Sequence, residues 1–582
     1  MSKKKKKSKN IAPKIPGKTF LQQGISKLTA ALESNNAKTA AAFAVFAMSL
    51  LFAALSLMQV LYYTTGPAEG YFHSDCTDSL YWAEAAAESG TVFNPDYYYA
   101  ALLPFSAQVW LVPLIKIFGV TMTTHVIGMV IFALLFFASV IFFCRSMEWS
   151  WSFSLFTSGA LMLMLSSSDK MREIMWGHVI YYSLGLLILF TGMGLMLRMC
   201  RHFEKGNRTK AWIYTAVFFF FMMFAATNGA QCLAIYTLPM FAAIVAEAVF
   251  NSKEKLISEH NVYYWFAAVL LIISTLIGLY ILGIWKGDII AGYADAYSML
   301  DSIDGWVDNL LKFPESYLSL YGIAIEDGTA LNGDGTIESL IKLAASVIML
   351  VLPLVLLVCY KKIEDRPTKL ALWVHLAVSA VITVGFICGR LSAGNWRLMP
   401  MVGTSILASV AAIRFMFRAK ESVLSYRRVG ALLLLFPLLC SLVNYREIQK
   451  MPKDYGDDNA HHQLVEFLTE KGLEYGYAEF WTAQATTVLS DSKVKVRPIT
   501  VSRNDGIDPY LYQVNSNWFK DQEGVEKYFI IFSGYEFSSI SQTEEWIKLV
   551  NGSSVTKYDC AGYLIFTFDL NPITAIAQNA AQ

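Results

Sequence analysis

Charge is scarce in this chain. Lys, Arg, Asp and Glu together make up 16% of its 582 residues, against about 25% in soluble globular proteins. That shortage argues against a purely soluble enzyme, a coiled coil or a disordered chain. Glycine, at 36 residues, is far too rare for collagen. Cysteine is also sparse, with eight residues at scattered spacings and no C-x-x-C pair or metal-type cluster; they read as separate free thiols. The P-loop, a G-x-G-x-x-G after a strand, H-E-x-x-H and G-x-S-x-G are all missing, so the phosphate-cradling, zincin and serine-hydrolase patterns have no footing. Nothing supports nucleic-acid readout.

What the chain has in excess is apolar surface. The apolar set reaches 55%, and it is gathered into long runs rather than spread at helical or strand spacing. A run of about 20 apolar residues crosses a ~30 Å hydrocarbon core. Residues 37–62 form the first such run, and further runs fall near 121–144, 150–165, 176–198, 211–227, 232–250, 262–283, 340–360, 370–389, 398–417 and 429–443. The expected fold class is a mainly α-helical polytopic membrane protein with about 11 spans. Segment 101–118 is apolar but broken by Pro104 and Pro113, which predicts an interfacial or re-entrant pair of short helices.

The placement of charge orients these spans. Residues 1–38 hold ten lysines against one acid, Glu33, and read as a solvated basic tail. Arg145, Arg201, Lys205, Arg208, Lys210, Lys361, Lys362, Arg366, Arg418, Arg427 and Arg428 fall in alternate loops. The intervening loop from Thr64 to Ile115 has six acids and no Lys or Arg, and Lys286–Glu338 has ten acids against two lysines. Basic loops stay on the cytoplasmic side. The chain is therefore expected in the cell membrane as a multi-pass protein, with its N-terminus cytoplasmic and its C-terminus outside. Cys76 and Cys560 would then share the outer side, where a disulfide is permitted but has no geometric support.

From about residue 448 the composition changes. Helix candidates 461–471, 482–490 and 543–551 alternate with strand-like runs 475–480, 494–501, 528–532 and 563–568, the pattern of a small layered sheet. The expected domains are the tail 1–38, a membrane domain 39–447 with outer loops 64–120 and 285–338, and a small extracytoplasmic α/β domain 448–582.

Ionisable residues at the outer surface are the candidates for chemistry. Asp75 and Asp78 lie three residues apart after the first span, so a helix starting there places both on one face. One carboxylate can act as a general base while the other orients it; Ser74 or Asp75 as a helix N-cap, with Asp78 in the first turn, is the structural alternative. Between two spans, Asp169-Lys170-Met-Arg172-Glu173 precedes His178; ionisable groups at the edge of a span are costly and often functional. Arg390, Asn395, Trp396 and Arg397 form a third patch, with two arginines against the prevailing charge bias and a guanidinium fork suited to phosphate. Thr227-Asn228-Gly229 supplies amides at the same level. The acidic loop contains Asp334-Gly335, but Ala330 and Ile341 occupy calcium-ligand positions, so the calcium pattern fails; a lid or substrate-contact loop is expected instead. No metal or cofactor is expected.

The order of these elements, with His73-Ser-Asp75-Cys-Thr-Asp78-Ser-Leu-Tyr81-Trp-Ala after the first span and Asn395-Trp-Arg397-Leu-Met-Pro400 before a late one, resembles the GT-C superfamily of membrane glycosyltransferases. It is most similar to bacterial relatives of protein O-mannosyltransferases and lipid A aminoarabinose transferases. The resemblance implies an acidic general base in the first outer loop, Asp78 or Asp75; the family's Asp-Glu pair before a Tyr reads here as Thr77-Asp78 before Tyr81. It implies an arginine near the donor phosphate, matched by Arg397, with Leu398 in place of the family's Tyr. It also implies a GT-C-like fold and a polyprenyl-phosphate-linked sugar donor.

The expected function is an inverting sugar transfer on the outer face to an acceptor glycan, lipid or protein, with membrane lipids as further partners. Arg172, Glu173, His178, Arg390, Asn395, Arg397 and Tyr81 are the expected substrate-binding residues. A transporter or flippase of a lipid-linked sugar is the alternative. It predicts mid-membrane breaks and repeat symmetry, neither of which the sequence displays. A non-catalytic receptor would leave the acidic first loop without a role.

Overall fold

A computed structural model describes residues 35–229, 232–251, 255–259, 261–289, 299–323, 333–389, 394–418, 424–452, 459–503 and 506–581. The lysine run, Arg390 and parts of the long acidic loop lie outside the described residues.

Ten described helices are long and apolar enough to cross a membrane. They are α1 (Asn35–Thr64), α4 (Met122–Ser146), α6 (Tyr181–Glu204), α7 (Arg208–Ala226), α8 (Leu238–Phe250, extended by the preceding turn), α9 (Asn261–Lys286), α11 (Thr336–Val358), α12 (Arg366–Cys388), α13 (Met399–Arg418, extended by the turn before it) and α14 (Leu424–Lys450). The expected eleventh is α5 (Trp151–Met164), whose 14 residues rise only ~21 Å. Its termini are fixed locally: Ser150 caps it by accepting from the Phe153 amide, as Thr121 caps α4 and Asn207 caps α7. Helix α13 is the axis of the bundle, with 94% of its apolar window buried. Helix α1 is at the rim and leaves Phe43, Met48, Leu51 and Met58 exposed, as a lipid-facing helix does.

Between α1 and α4 the chain forms α2 (Asp78–Ser89) and α3 (Gln108–Phe118). The expected pair of short helices at 101–118 is a single one. Pro104 disfavours helical backbone at Leu103, and residues 101–103 are buried without helix. The Asn228 side chain takes the place of a backbone partner, accepting from the Phe105 amide and donating to its carbonyl, both at 3.0 Å. The acidic loop contains α10 (Ile303–Leu320). It is docked on the end of α12 by Asn309, which donates to the Ile387 carbonyl.

The C-terminal unit is a six-stranded sheet, in the order β4 (Gly506–Pro509), β3 (Lys495–Ser502), β2 (Tyr475–Glu479), β6 (Tyr528–Ser533), β8 (Tyr563–Phe568), β7 (Thr556–Cys560). Strand β2 runs parallel to β3 and β6, and the outer pairs are antiparallel. The first loop is stitched to this unit. Strand β1 (Tyr97–Tyr98) pairs with β5 (Val514–Asn515), Ser74 Oγ donates to the Phe480 carbonyl at 2.5 Å, and the Met122 amide donates to Asp491. Ser74 and Asp75 therefore do not cap α2. Residues Ser74–Thr77 are a 3-10 turn, and the helix begins at Asp78. All eight cysteines are unpaired.

Candidate active site

A cavity of about 500 Å³ opens where the first loop, the α5–α6 connection, the start of α13 and the C-terminal unit meet. Its polar end holds Asp75, Asp78, Lys170, Glu173, His178 and Arg397; its apolar side is built from Ile180, Ile235, Val381, Ile382 and Phe386. Together with the turn before α8 and helix α12, these segments, far apart in sequence, place acids, bases and an apolar wall around one space.

The α5–α6 connection owes its shape to backbone that is neither regular helix nor loop. After one helical turn at Asp169–Arg172, residues Glu173–His178 are π-helical, and Val179 follows with φ 49°. A β-branched residue in the left-handed region is strained, and π segments gather at functional sites. A second π segment, Leu233–Thr237, supplies Ile235 to the same cavity.

Glu173 organises the charges. Lys170 Nζ lies 2.6 Å from one of its carboxylate oxygens, and the imidazoles of His73 and His178 lie 3.4 and 3.5 Å from the other. Burial raises the Glu173 carboxyl, but the His73 and Lys170 hydrogen bonds outweigh it and hold it down to about 2. Burial lowers His73, yet its hydrogen bonds to Cys76 and Glu173 bring it up to about 11. Burial pushes His178 down to about 3, so that ring is neutral.

The two aspartates differ. Burial raises the Asp75 carboxyl, with the His73 cation opposing. Asp78 is 7% exposed and its Oδ1 has no hydrogen-bond partner. Burial and the neighbouring Asp75 charge hold it well above the carboxylate range. Asp75 is thus the easier of the pair to ionise, and Asp78 the harder.

His73, Cys76 and His178 bring three donor atoms within 4.8 Å of one another. In this arrangement His73 Nε2 faces Glu173 at 3.4 Å, and no ion is assigned to the group.

No family model matches the chain, and no curated protein does. Solved structures do match. ArnT from Cupriavidus metallidurans, bound to undecaprenyl phosphate, superposes with a TM-score of 0.51 over 89% of this chain and 97% of its own, at 11% identity. This chain shares the fold of that ArnT structure. The Archaeoglobus fulgidus oligosaccharyltransferase in complex with Zn and sulfate gives 0.49 at 10% identity, over 89% of this chain and 72% of that one. The chain spans 64% of the length of that oligosaccharyltransferase in its apo form.

Of the residues expected from sequence to act in catalysis or substrate binding, five share the cavity: Asp75, Asp78, Glu173, His178 and Arg397. Three others do not line it. Arg172 turns away to the Ser166 carbonyl, at 2.8 Å, and to Asp169. Asn395 donates to Ser319 on α10 at 2.9 Å. Tyr81 points from α2 into a separate cavity. Arg390 lies outside the described residues.

Lys170 stands in the ionisable patch but was not among the expected substrate-binding residues, although its i,i+3 spacing to Glu173 was visible. Sequence reasoning also missed Trp481 and Tyr512 of the C-terminal unit, which close the cavity; no local pattern marks them, because only the tertiary docking brings them in.

Proposed function

We propose that this chain is a membrane glycosyltransferase that moves a sugar from a polyprenyl-phosphate carrier to an acceptor hydroxyl, with inversion at the anomeric carbon. One observation carries the reading: a carboxylate pair and two cations face the same space, and that space continues into an aliphatic wall. A lipid-linked phosphate needs cations for its head and apolar surface for its first isoprene units. The Arg397 guanidinium and the Lys170 ammonium, which rests 5.3 Å from the Trp396 ring centroid, suit the former. Ile180, Ile235 and Phe386 suit the latter.

Asp75 is the general base. It lines the cavity and is only partly buried, so an acceptor hydroxyl can reach it. As the acceptor oxygen bonds to the anomeric carbon, its proton passes to Asp75, and the carbon–oxygen bond to the carrier phosphate breaks from the opposite side. The departing phosphate monoester takes the electron pair, and Arg397 and Lys170 stabilise its charge. Protonated Asp78 donates a hydrogen bond to Asp75 or to the acceptor. Glu173 holds Lys170 and His73 in place, and neutral His178 orients the acceptor. The excess of basic loops at the end of the bundle away from this cavity supports an extracytoplasmic site, with the N-terminus on the cytoplasmic side.

Incubating the purified protein with a panel of polyprenyl-phosphate sugars tests this reading. Release of free polyprenyl phosphate is expected, and it stops in the Asp75→Asn, Asp78→Asn double mutant. Translocation of intact lipid-linked sugar across liposomes, without release, contradicts it and favours a flippase.

A further inference from the structure

Helix α2 separates two cavities. Asp78 and Trp82 face the one described above; Tyr81, Glu84 and Glu88, spaced i, i+3 and i+7 on another face, line a second of about 290 Å³. The opposite wall comes from the C-terminal unit: Lys495 and Arg497 on β3, with Asn515, Asn517 and Trp518 after it. Its volume is near the lower end of the ~300–1,000 Å³ range of small-molecule sites, and almost every lining group is polar.

Arg497 is the informative residue. It is 6% exposed, and its guanidinium lies 3.8 Å from the centroid of the Trp518 ring, which fixes its plane. No carboxylate among the described residues comes within ion-pairing distance of it, and its Nε has no hydrogen-bond partner. Tyr475 hydrogen-bonds the guanidinium and Glu84 attracts it from across the cavity, but no carboxylate touches it, and a rigid buried fork is suited to receive one through charge-assisted hydrogen bonds. Lys495 stands at the exposed rim of the same wall.

Across from these cations, Glu84 Oε2 and the Tyr81 hydroxyl also lack hydrogen-bond partners. Burial pushes Glu84 up to about 7 against the pull of Arg497, so it either donates or accepts near neutral pH. Two acids facing two bases leave no net charge to hold a polyanion. A monocarboxylate that brings its own hydroxyl or ammonium groups satisfies both walls at once.

We propose that this cavity is a second ligand site, which binds a small monocarboxylate bearing hydroxyl or amino groups, with the carboxylate on Arg497 and Lys495 and the hydroxyl or amino groups on Glu84 and Tyr81. Such a ligand is either a sugar acid or an amino acid. The site is independent of the transfer reaction, since α2 and its buried Leu80 and Trp82 stand between the two cavities.

Direct binding to the full chain in nanodiscs, by calorimetry, tests the proposal with D-glucuronate and L-serine as the two sources, and D-glucose and inorganic phosphate as controls. Saturable binding of glucuronate or serine is expected. Affinity is expected to fall about tenfold in Arg497→Lys, which keeps the charge but loses the fork. The rim variant Lys495→Met leaves the buried wall untouched and folds normally; a loss of about fivefold is expected there from the missing second cation. Absence of binding by both carboxylates overturns the proposal. So does glucose binding as tightly as glucuronate, phosphate binding more tightly than either, or unchanged affinity in Lys495→Met.

Discussion

The indole N–H of Trp82 donates to the side-chain carbonyl of Gln513, joining the first loop to the C-terminal unit across 431 positions of sequence. Gln513 has φ 57°, its amide donates to the Tyr98 carbonyl at 2.9 Å, and its own carbonyl accepts from Gln484 at 2.6 Å. A residue held in strained backbone by bonds in several directions is a clamp. Gln513→Leu removes the side-chain acceptor and leaves the Trp82 N–H buried and unmet, a loss of about 1–3 kcal/mol. The expected outcome is a lower Tm in detergent and faster proteolytic release of the C-terminal unit. An unchanged Tm contradicts the clamp.

Lys170→Met tests the cationic end of the site. It deletes one of the two cations proposed to face the donor phosphate and leaves Glu173 without its closest partner. Turnover with a polyprenyl-phosphate sugar is expected to fall about 100-fold, within the 10²–10³ range seen when one charge-stabilising donor is removed. Arg397→Lys is expected to raise the donor KM more than it lowers kcat, because it keeps charge but loses the bidentate geometry.

The pH dependence has a defined sign. As the proposed base Asp75 must be ionised, and burial raises its carboxyl above the ordinary 3.8, so activity is expected to be lost on the acid side, at a pH above the usual carboxylate range. His73 stays cationic until about pH 11 and adds no alkaline limb at physiological pH. Glu173 is depressed from 4.5 to about 2; its stabilising contribution is present above pH 4.5 and is lost as the pH falls toward 2. The Tm difference between wild type and Glu173→Gln is therefore expected to be full at pH 6 and to close over that window.

Arg172 separates structure from chemistry. It was an expected substrate ligand, but it bonds the Ser166 carbonyl and Asp169, away from the cavity. Arg172→Met is expected to lower the Tm, at about 1–3 kcal/mol for a buried polar contact left unmet. The donor KM of the folded fraction is expected to stay unchanged, as measured by steady-state kinetics at low temperature.

Most of the bundle was legible in the sequence because a hydrocarbon core imposes its length on each span, and the loop charges add a second, independent signal. The strands at 475–479, 495–502, 528–533 and 563–568 were legible from apolar runs. Short edge pieces such as Gly506–Pro509 and Val514–Asn515 were not, since two to four residues carry no period. Proximity in sequence to a candidate patch misled at Arg172 and Asn395, which lie within a few residues of cavity-lining positions yet bond elsewhere. Trp481 shows the converse: a domain contact that no local pattern encodes brings it to the cavity.

The central claim is that Asp75 accepts the proton while Asp78 stays protonated. Single-turnover transfer from a polyprenyl-phosphate sugar, compared between Asp75→Asn and Asp78→Asn, tests it most directly. Asp75→Asn is expected to lose about 10²–10⁴-fold in rate. Asp78→Asn, an isostere of the neutral acid, is expected to stay within about tenfold, or about 1.4 kcal/mol in barrier. A large loss in Asp78→Asn with near-normal transfer in Asp75→Asn contradicts the assignment.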